Sequence, residues 1–430
     1  MSGPVGIGVD VGTSGLRAVA LDAAGGVLAR AAEPLPVPRR TADGGVEQDP
    51  RVWWEALVRA LRRLTGHHAL AGRPCALSLD GTSATVLLTA ADGRPLGPAL
   101  MYDDRRAVQA AALVKRVAPA DSPAQGIGSS LTKALHLLAT CQDGNAPIHV
   151  LHQADWLTGR LLERFGDSDW NNALKLGFDP RTERWPDWLG ALPLPAAALP
   201  QVHAPGTPLG VIAAEAGATT GLPERTLICA GTTDSTAAVL ATGASDIGDA
   251  VTSLGSTLVL KVIAKEPVSA PEYGVYSHRL GDAWLAGGAS NSGGAVLRAH
   301  FDEAALRRLS AKIDPEQPSG LDYYPLPATG ERFPVHDPAL APRLTPRPAD
   351  DARFLHGLLE GIARIERDGY RLLARLGAPA PQRVLSIGGG AANDTWTVLR
   401  RRLLGCVVVR AHGEAAEGAA ALALRGSRHG

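Results

Sequence analysis

The chain is poor in cysteine, methionine and aromatic residues. It contains four cysteines and two methionines among 430 residues, and phenylalanine, tryptophan and tyrosine together make up 4%. The cysteines (Cys75, Cys141, Cys229 and Cys406) lie far apart and form neither a CxxC pair nor a metal-ligand spacing with histidine. This pattern excludes a disulfide scaffold and the common zinc-finger arrangements, and it favours buried thiols in a reducing cytoplasm.

Net charge and long apolar runs are lacking too. The chain has 43 Lys and Arg against 43 Asp and Glu, so its composition favours neither a nucleic-acid partner nor a membrane surface. No apolar run is long enough to span a bilayer, and a strand pattern starts almost at the N-terminus, which leaves no room for a leader peptide. With 430 residues, 45% of them hydrophobic, the chain is long enough for two domains or more, each with its own core.

Short strands alternate with helices along the chain, and this alternation predicts the α/β class. Three strands are predicted between Val5 and about Ala31, and later ones include Cys75 to Leu79 and Ala84 to Leu88. The proline-rich segments from Trp185 to Thr220 and from about Pro315 to Asp350 are predicted to be loops.

One kind of hairpin turn occurs twice. Asp10 precedes the tip Gly12-Thr13-Ser14, and far downstream the tip Gly255-Ser256-Thr257 also joins two apolar strands. Glycine lets the backbone approach a ligand closely, and successive N–H groups with hydroxyls form an anion site. One such tip alone is compatible with an ordinary turn. The pair predicts two related lobes that hold one polyphosphate, with Asp10 facing a hydrated divalent cation or a substrate hydroxyl.

Asp234 follows a buried strand and stands where a helix begins, among small hydroxyl residues that include Ser235. Capping of that helix by Asp234 or Thr233 is one interpretation. The other is catalytic, because α/β folds place their chemistry at the carboxyl ends of strands. A carboxylate in that position can accept the proton of an alcohol during phosphoryl transfer.

The run Gly388-Gly389-Gly390 follows a strand and precedes a helix, and bare backbone there suits a flat ligand. The run is neither a Walker loop nor a dinucleotide fingerprint, and a plain turn with Asn393 as helix cap is the alternative. Neither HExxH nor GxSxG occurs in the chain.

Four further polar residues follow strands in the N-terminal half: Asp80, Ser83, Asp103 and Asp104. They have the chemistry to bind a polyol, although each one singly is equally typical of a turn.

Taken in order, these motifs resemble the FGGY carbohydrate kinases of the actin/hexokinase ATPase superfamily. The resemblance covers nearly the whole chain, and the motifs that carry it are Gly8-Val9-Asp10-Val11-Gly12-Thr13-Ser14, Glu47-Gln48-Asp49-Pro50 with Trp53-Trp54, Asp103-Asp104-Arg105, Gly231-Thr232-Thr233-Asp234, Ser253-Leu254-Gly255-Ser256-Thr257, Gly388-Gly389-Gly390 with Asn393, and Glu414-Ala415-Ala416-Glu417-Gly418-Ala419-Ala420.

The resemblance implies two RNase H-like lobes flanking a deep cleft. Residues 1–241 would form the N-terminal, sugar-side lobe and 242–430 the C-terminal, nucleotide-side lobe, with the last helix (about 413–430) packing back on the first. It also implies Mg²⁺ and ATP, with small-molecule sugar as acceptor. The residues that it assigns are Asp234 as general base; Asp10, Ser83, Asp103 and Ser235 for substrate; Gly12, Thr13, Ser14, Gly255, Ser256, Thr257, Gly389, Gly390 and Asn393 for nucleotide; and Asp10 and Asp234 near the metal.

Within the family, the runs Ser78 to Thr85, His152 to Trp156, Trp170 to Lys175 and Gly274 to Arg279 look like the compact D-ribulokinase branch. The expected reaction is therefore phosphorylation of D-ribulose to D-ribulose 5-phosphate by a cytoplasmic monomer or homodimer. D-xylulose or another polyol is the alternative substrate. A chaperone- or filament-like ATPase without a sugar substrate, and a sugar sensor without turnover, are alternatives of other classes.

Overall fold

In a computed structural model the chain divides into two compact units, Met1–Ala241 with Gly413–Gly430, and Thr242–His412. The structure describes residues 3–141 and 148–428. Each unit combines sheets with helices, and the predicted α/β class is thus confirmed.

The strands of the first unit are β1 (Val5–Val11), β2 (Gly15–Leu21), β3 (Val27–Pro34), β4 (Arg39–Arg40), β5 (Val46–Gln48), β6 (Cys75–Gly81), β7 (Val86–Ala90), β8 (Ala99–Leu100), β9 (Ile148–His152), β10 (Asp167–Asp169), β11 (Gln201–His203), β12 (Pro208–Val211), β13 (Leu227–Cys229) and β14 (Thr232–Thr233). Its helices up to residue 241 are α1 (Pro50–Thr65), α2 (Val108–Val117), α3 (Ser130–Thr140), α4 (Gln153–Leu162), α5 (Trp170–Ala173), α6 (Ala214–Thr220) and α7 (Asp234–Ala241).

The main sheet of this unit has the strand order β12-β13-β6-β1-β2-β3, and β14 also pairs with β6. Strands β1, β2 and β3 form an antiparallel meander, whereas β1, β13 and β14 all run parallel to β6. Every residue of β1 and β6 is buried, as expected for strands covered on both faces. The parallel strands bring their carboxyl ends to one edge.

Helix α1, which packs on β2 and β3, shows how local sequence determines where a helix begins. Asp49 accepts a hydrogen bond from the backbone N–H of Arg51, and Pro50 occupies the first helical position. Trp53 lies on the buried face, and its Nε1–H donates to Gln48 Oε1 at 2.6 Å. The Glu47-Gln48-Asp49-Pro50 motif therefore starts the helix and satisfies its buried indole.

The second unit contains the strands β15 (Asp249–Leu254), β16 (Leu258–Ala264), β17 (Tyr276–Leu280), β18 (Ala283–Ser290), β19 (Arg383–Ile387) and β20 (Val407–Arg410), and the helices α8 (Gly294–His300), α9 (Glu303–Ser310), α10 (Asp351–Arg375) and α11 (Asp394–Leu404). The sheet order is β17-β18-β16-β15-β19-β20. Strands β15, β16 and β18 are antiparallel, and β19 and β20 extend the sheet as parallel strands on the β15 side. The first unit has the same topology in β1, β2 and β3, extended by β6 and β13.

The last helix, α12 (Ala415–Gly426), belongs to the first unit and packs on β1 and α7. Two glycines make this close approach possible. A Cβ on Gly8 would lie 1.9 Å from the carbonyl oxygen of Ala416, and one on Gly418 would lie 1.9 Å from that of Ala237. The small residues of this helix therefore allow backbone to pack directly on backbone.

Short 3₁₀ turns also occur at His68–Leu70, Pro123–Gln125, Leu174–Leu176, Asp187–Ala191, Ala196–Ala198, Pro271–Tyr273 and Gly389–Ala392.

Two predictions about the secondary structure need correction. The segment 185–220 is not simply loop, because it includes β11, β12 and α6. The strand predicted at 84–88 is β7 at 86–90, because Ala84 has a φ of 69° and lies in the preceding turn.

Candidate active site

Three carboxyl groups meet at the carboxyl edge of the parallel strands in the first unit. Asp10 on β1 is opposite Asp80 on β6, and Asp80 is opposite Thr232 on β14, so Asp234 follows two positions further along. Asp10 and Asp80 are buried and Asp234 is half-buried. The register of neighbouring parallel strands thus brings together residues that lie far apart in sequence.

Burial raises the pKa of two of these groups, and at Asp80 the charges of the other two carboxylates add to its effect. Burial raises the pKa of Asp10, although a hydrogen bond with Asp80 and the charge of Arg17 oppose this. The pKa of Asp80 is raised well above its usual range by burial, then by the charges of Asp10 and Asp234. Asp80 is fully buried at the end of β6, and its interaction with Asp10 lowers the pKa of Asp10 while it raises that of Asp80.

Asp234 begins α7, and its Oδ1 accepts a hydrogen bond of 2.6 Å from the backbone N–H of Ser235. Thr233 and Thr236 are linked through their hydroxyls at 3.0 Å. The bond to Ser235 joins neighbouring residues, whereas a helix cap accepts from an N–H two or three positions further on. Both Asp234 and Ser235 are half-buried.

Asp103 also lies within electrostatic reach of this edge. Burial, then the charges of Asp103 and Asp234, raise the pKa of Tyr102. Asp103 Oδ2 accepts from Arg40 at 2.7 Å, whereas its buried Oδ1 has no hydrogen-bond partner in the part of the chain that the structure describes. Asp103 thus keeps one buried oxygen without a hydrogen-bond donor in the described chain.

Asp104, in contrast, is committed to the fold. It is fully buried, its Oδ2 accepts from the backbone N–H of Val46 at 2.8 Å, and it forms an ion pair with Arg106. Nearby, the buried Lys133 donates to the carbonyl oxygen of Met101 at 2.8 Å and so holds the backbone just before Tyr102. Of the adjacent carboxylates, only Asp103 suits substrate binding.

Ser83 lies in the turn that follows β6. The N–H of Thr85 donates to the carbonyl oxygen of Thr82 at 3.1 Å, and the two threonine hydroxyls are 2.6 Å apart. Ala84 adopts a left-handed conformation in this turn, which is uncommon for a residue with a side chain. The turn leaves Ser83 half-buried.

The first hairpin tip is a tight turn in which the N–H of Gly12 donates to the carbonyl oxygen of Gly15 at 3.0 Å. Thr13 is half-buried and Ser14 is exposed. The hydroxyl of Ser14 is thus open to solvent, and the role of this tip in phosphate binding stays a prediction.

The second tip, residues 255–257, is braced by the start of α8. Gly294 and Ala295 donate their N–H groups to the carbonyl oxygens of Gly255 and Ser256, at 2.8 and 3.0 Å. Ser256 and Thr257 are exposed, and Arg298 donates to Ser256 Oγ at 2.7 Å. Because the guanidinium donates, the Ser256 hydroxyl keeps its own proton for another acceptor.

The glycine run near residue 389 is less uniform than its sequence suggests. A Cβ on Gly389 would meet nothing within 4 Å, whereas one on Gly390 would lie 2.6 Å from the Trp396 ring. Asn393 caps α11 by accepting from the N–H of Trp396 at 3.0 Å, and its Nδ2 donates to Ser310 at 2.9 Å. The predicted cap is present, and the nucleotide role of this segment stays a prediction.

Within residues 3–141 and 148–428, no cluster of three or more His, Cys, Asp or Glu side chains could hold a metal ion. Asp10 and Asp234 nevertheless fit Mg²⁺, because this ion typically takes one or two carboxylates and completes its shell with water and substrate phosphates. No helix of the described chain is long and apolar enough to cross a membrane.

The first unit thus has carboxylates at the end of its parallel strands, and each unit has a hairpin tip of glycine and hydroxyl residues. Sequence comparison agrees. Residues 5–241 match the N-terminal domain of the FGGY family of carbohydrate kinases, and residues 250–427 match its C-terminal domain. The chain belongs to the FGGY family of carbohydrate kinases and is an ATP-dependent sugar phosphotransferase.

Relatives and solved structures are consistent with this. The chain is 31% identical to the xylulose kinase of Streptomyces rubiginosus over 94% of its own length and 84% of that protein, and 29% identical to the Escherichia coli xylulose kinase over 91% and 83%. A crystal structure of a xyloylose kinase from Brucella ovis superposes with a TM-score of 0.90 at 24% identity, covering 99% of this chain and 91% of that one.

The sequence pattern identified Asp80 only as one of several strand-end carboxylates, and it gave no sign of Arg298. Asp80 becomes significant through its register with Asp10. Arg298 becomes significant because it contacts the second tip from a different element. Neither relation has a local sequence signal, although the repeated tip would have justified a search for cations around it.

Proposed function

We propose that this kinase transfers the γ-phosphoryl group of ATP to the terminal hydroxyl of a ketopentose, and specifically converts D-ribulose to D-ribulose 5-phosphate. The carboxylate cluster formed by Asp10, Asp80 and Asp234 is the observation that carries the proposal. It places an acidic group beside a partly open strand end, where an alcohol can be deprotonated.

Asp234 is the general base. Its carboxylate accepts the proton of the sugar hydroxyl as the hydroxyl oxygen bonds to the γ-phosphorus, and the bond to the β–γ bridging oxygen breaks to release ADP. A carboxylate is a weak base toward an alcohol, so this proton moves late in the step.

Backbone N–H groups and hydroxyls of Gly12, Thr13 and Ser14, and of Gly255, Ser256 and Thr257, bind phosphate oxygens of ATP. Gly389, Gly390 and Asn393 lie along the adenosine. Asp10 and Asp234 would hold Mg²⁺, which would neutralise charge on the phosphates.

The sugar is bound by Asp103, Ser83, Asp10 and Ser235. Asp103 suits this role because its buried Oδ1 has no hydrogen-bond partner in the described chain and can accept from a sugar hydroxyl. The half-buried hydroxyl of Ser83 can donate to or accept from a second oxygen.

Domain organisation belongs to the same proposal. We assign residues 1–241 to a sugar-side lobe and 242–430 to a nucleotide-side lobe, with α12 packed on the first, in a cytoplasmic monomer or homodimer.

D-xylulose is the second candidate substrate, because relatives matched over most of this chain are named xylulose kinases. The two sugars differ only in the configuration at one carbon, so a single hydroxyl contact decides between them.

The test is a coupled ADP-release assay with Mg·ATP and, in turn, D-ribulose, D-xylulose, L-ribulose, glycerol and ribitol, together with a blank that lacks sugar. We expect turnover with D-ribulose well above that of the other sugars. A preference for D-xylulose would keep Asp234 and both tips but replace the substrate. Equal turnover in the blank would make the protein an ATPase without a sugar substrate and overturn the proposal.

A further inference from the structure

Asp103 lies on a four-residue turn that is fixed at both ends. The N–H of Asp104 donates to the carbonyl oxygen of Met101 at 3.0 Å, so Tyr102 and Asp103 are the two central residues of the turn. The N–H of Met101 donates to the carbonyl oxygen of Val46 at 2.9 Å, and the Asp104 carboxylate accepts from the N–H of the same valine. Strand β5 therefore holds the first and the last residue of this turn.

Lys133 contacts the same turn from another element. It lies on α3, and none of its surface is exposed. Its Nζ donates to the carbonyl oxygen of Met101 at 2.8 Å, which is the carbonyl that closes the turn. Within residues 3–141 and 148–428 the amine makes no second hydrogen bond and no ion pair. The single polar contact of this enclosed amine is thus to the turn that carries Asp103.

This position is costly for a lysine. Burial, and then the charge of Lys175, lower the pKa of Lys133 to about 7, against the opposing charges of Asp104 and Asp103. An ammonium group has three N–H donors, and one protein acceptor meets it in the described chain. The carbonyl oxygen of Met101 is already bonded to the N–H of Asp104, so an apolar side chain at residue 133 would leave it with a partner. The needs of the fold alone therefore do not explain a lysine here.

We propose that Lys133 is a positioning residue for the sugar site, and that its bond to Met101 fixes the turn that presents Asp103 to the sugar. The inference rests on the proposed function, in which Asp103 accepts from a sugar hydroxyl. Because the amine is enclosed, Lys133 acts through the turn and does not itself contact the sugar. The competing explanation is that Lys133 only supports the packing of α3.

The experiment uses the full chain and the substitution Lys133→Met, which removes the amine and keeps an unbranched side chain. Lys115→Met is the matched control, because it makes the same chemical change at an exposed position of α2. Asp103→Ala, alone and combined with Lys133→Met, tests whether the effect passes through Asp103. Thermal unfolding and sugar-dependent ADP release are measured for every variant.

In thermal unfolding at pH 7 we expect Lys133→Met to be at least as stable as the wild type. The pKa of Lys133 in the folded protein lies below its ordinary value of 10.5, so the cost of burying the charge is complete below about pH 7 and disappears toward pH 10. Any advantage of the variant in unfolding temperature should therefore shrink between pH 7 and pH 9.

In kinetics we expect the KM of Lys133→Met for the sugar to rise about tenfold, because the bond to Asp103 is weakened. The KM for ATP should stay within about twofold, and turnover at saturating sugar within about threefold. In the Asp103→Ala background Lys133→Met should raise the sugar KM by less than about twofold. Lys115→Met should change neither the unfolding temperature nor either KM.

A stable Lys133→Met variant with an unchanged sugar KM would overturn the inference, as would a full tenfold effect in the Asp103→Ala background. A Lys133→Met variant that is less stable and loses affinity for sugar and ATP alike would show that the lysine supports packing, and would also overturn it. Failure of the wild-type protein to phosphorylate any sugar would overturn the proposed function, and this inference with it.

Discussion

Replacing Arg400 with methionine tests how the second unit supports the hairpin that carries the tip 255–257. Arg400 is completely buried on α11 and binds both carboxylate oxygens of Glu366 on α10, at 2.6 and 2.7 Å. It also donates to Ser386 on β19 at 2.7 Å. Glu366 in turn accepts from Thr252 on β15 at 2.6 Å, just before the tip 255–257. One buried network therefore ties two helices to the strands that carry the site.

The expected cost follows from what the substitution leaves behind. Without Arg400 the carboxylate of Glu366 stays buried with its charge uncompensated, and breaking a buried pair in this way typically costs about 3 to 5 kcal/mol of unfolding free energy. Replacing both partners with apolar residues of similar volume is often neutral, because no buried charge remains. Arg400→Met with Glu366→Leu should therefore be more stable than Arg400→Met alone.

Urea unfolding followed by circular dichroism measures both variants. With a denaturant slope of about 1 to 3 kcal/mol per molar urea, we expect the single substitution to lower the midpoint by roughly 1 to 5 M. A loss below about 1 kcal/mol for Arg400→Met, or a double variant no more stable than the single one, would refute this reasoning.

Two further predictions concern packing and pH. Gly418→Val should destabilise the protein by about 3 kcal/mol or more, since its Cβ would overlap the carbonyl oxygen of Ala237. Gly190→Ala is the control and should change stability by less than about 1 kcal/mol, because a Cβ there meets nothing within 4 Å. Thermal unfolding compares the two variants with the wild type. A hydrogen bond from the Arg383 guanidinium lowers the pKa of Asp249 to about 2, so its stabilisation is present above about pH 4 and is lost as pH falls toward 2. Allowing for the exposure of Arg383, Asp249→Asn should be less stable than wild type by about 1 to 2 kcal/mol at pH 7. This difference in stability should shrink as the pH falls. A constant difference from pH 7 to pH 2 would contradict the prediction.

Much of the architecture was accessible from sequence because its signals are local. The turn at Gly12, the hairpin around Ser256 and the helix begun by Pro50 each depend on residue types with strong backbone preferences, and they were predicted within a few residues. The start of the strand after Ser83 was predicted two residues too early because Ala84 adopts a left-handed conformation, which alanine rarely takes. No sequence pattern predicts that conformation.

Relations between distant residues were not accessible. The raised pKa of Asp80 arises from complete burial and from the charge of Asp10, which strand register places opposite it, and both depend on the folded sheet. The distinction between Asp103, with an unpartnered oxygen in the described chain, and Asp104, bound within the fold, likewise needs three-dimensional contacts. Sequence identified the candidates, and packing separated them.

The most direct test of the account is the kinetics of Asp234→Ala and Asp234→Asn, measured by sugar-dependent ADP release alongside direct binding of ATP. If Asp234 is the general base, turnover should fall by about 10²-fold or more, while ATP affinity changes by only a few fold. Either variant retaining turnover close to that of the wild type would contradict the assignment of Asp234 and the mechanism built on it.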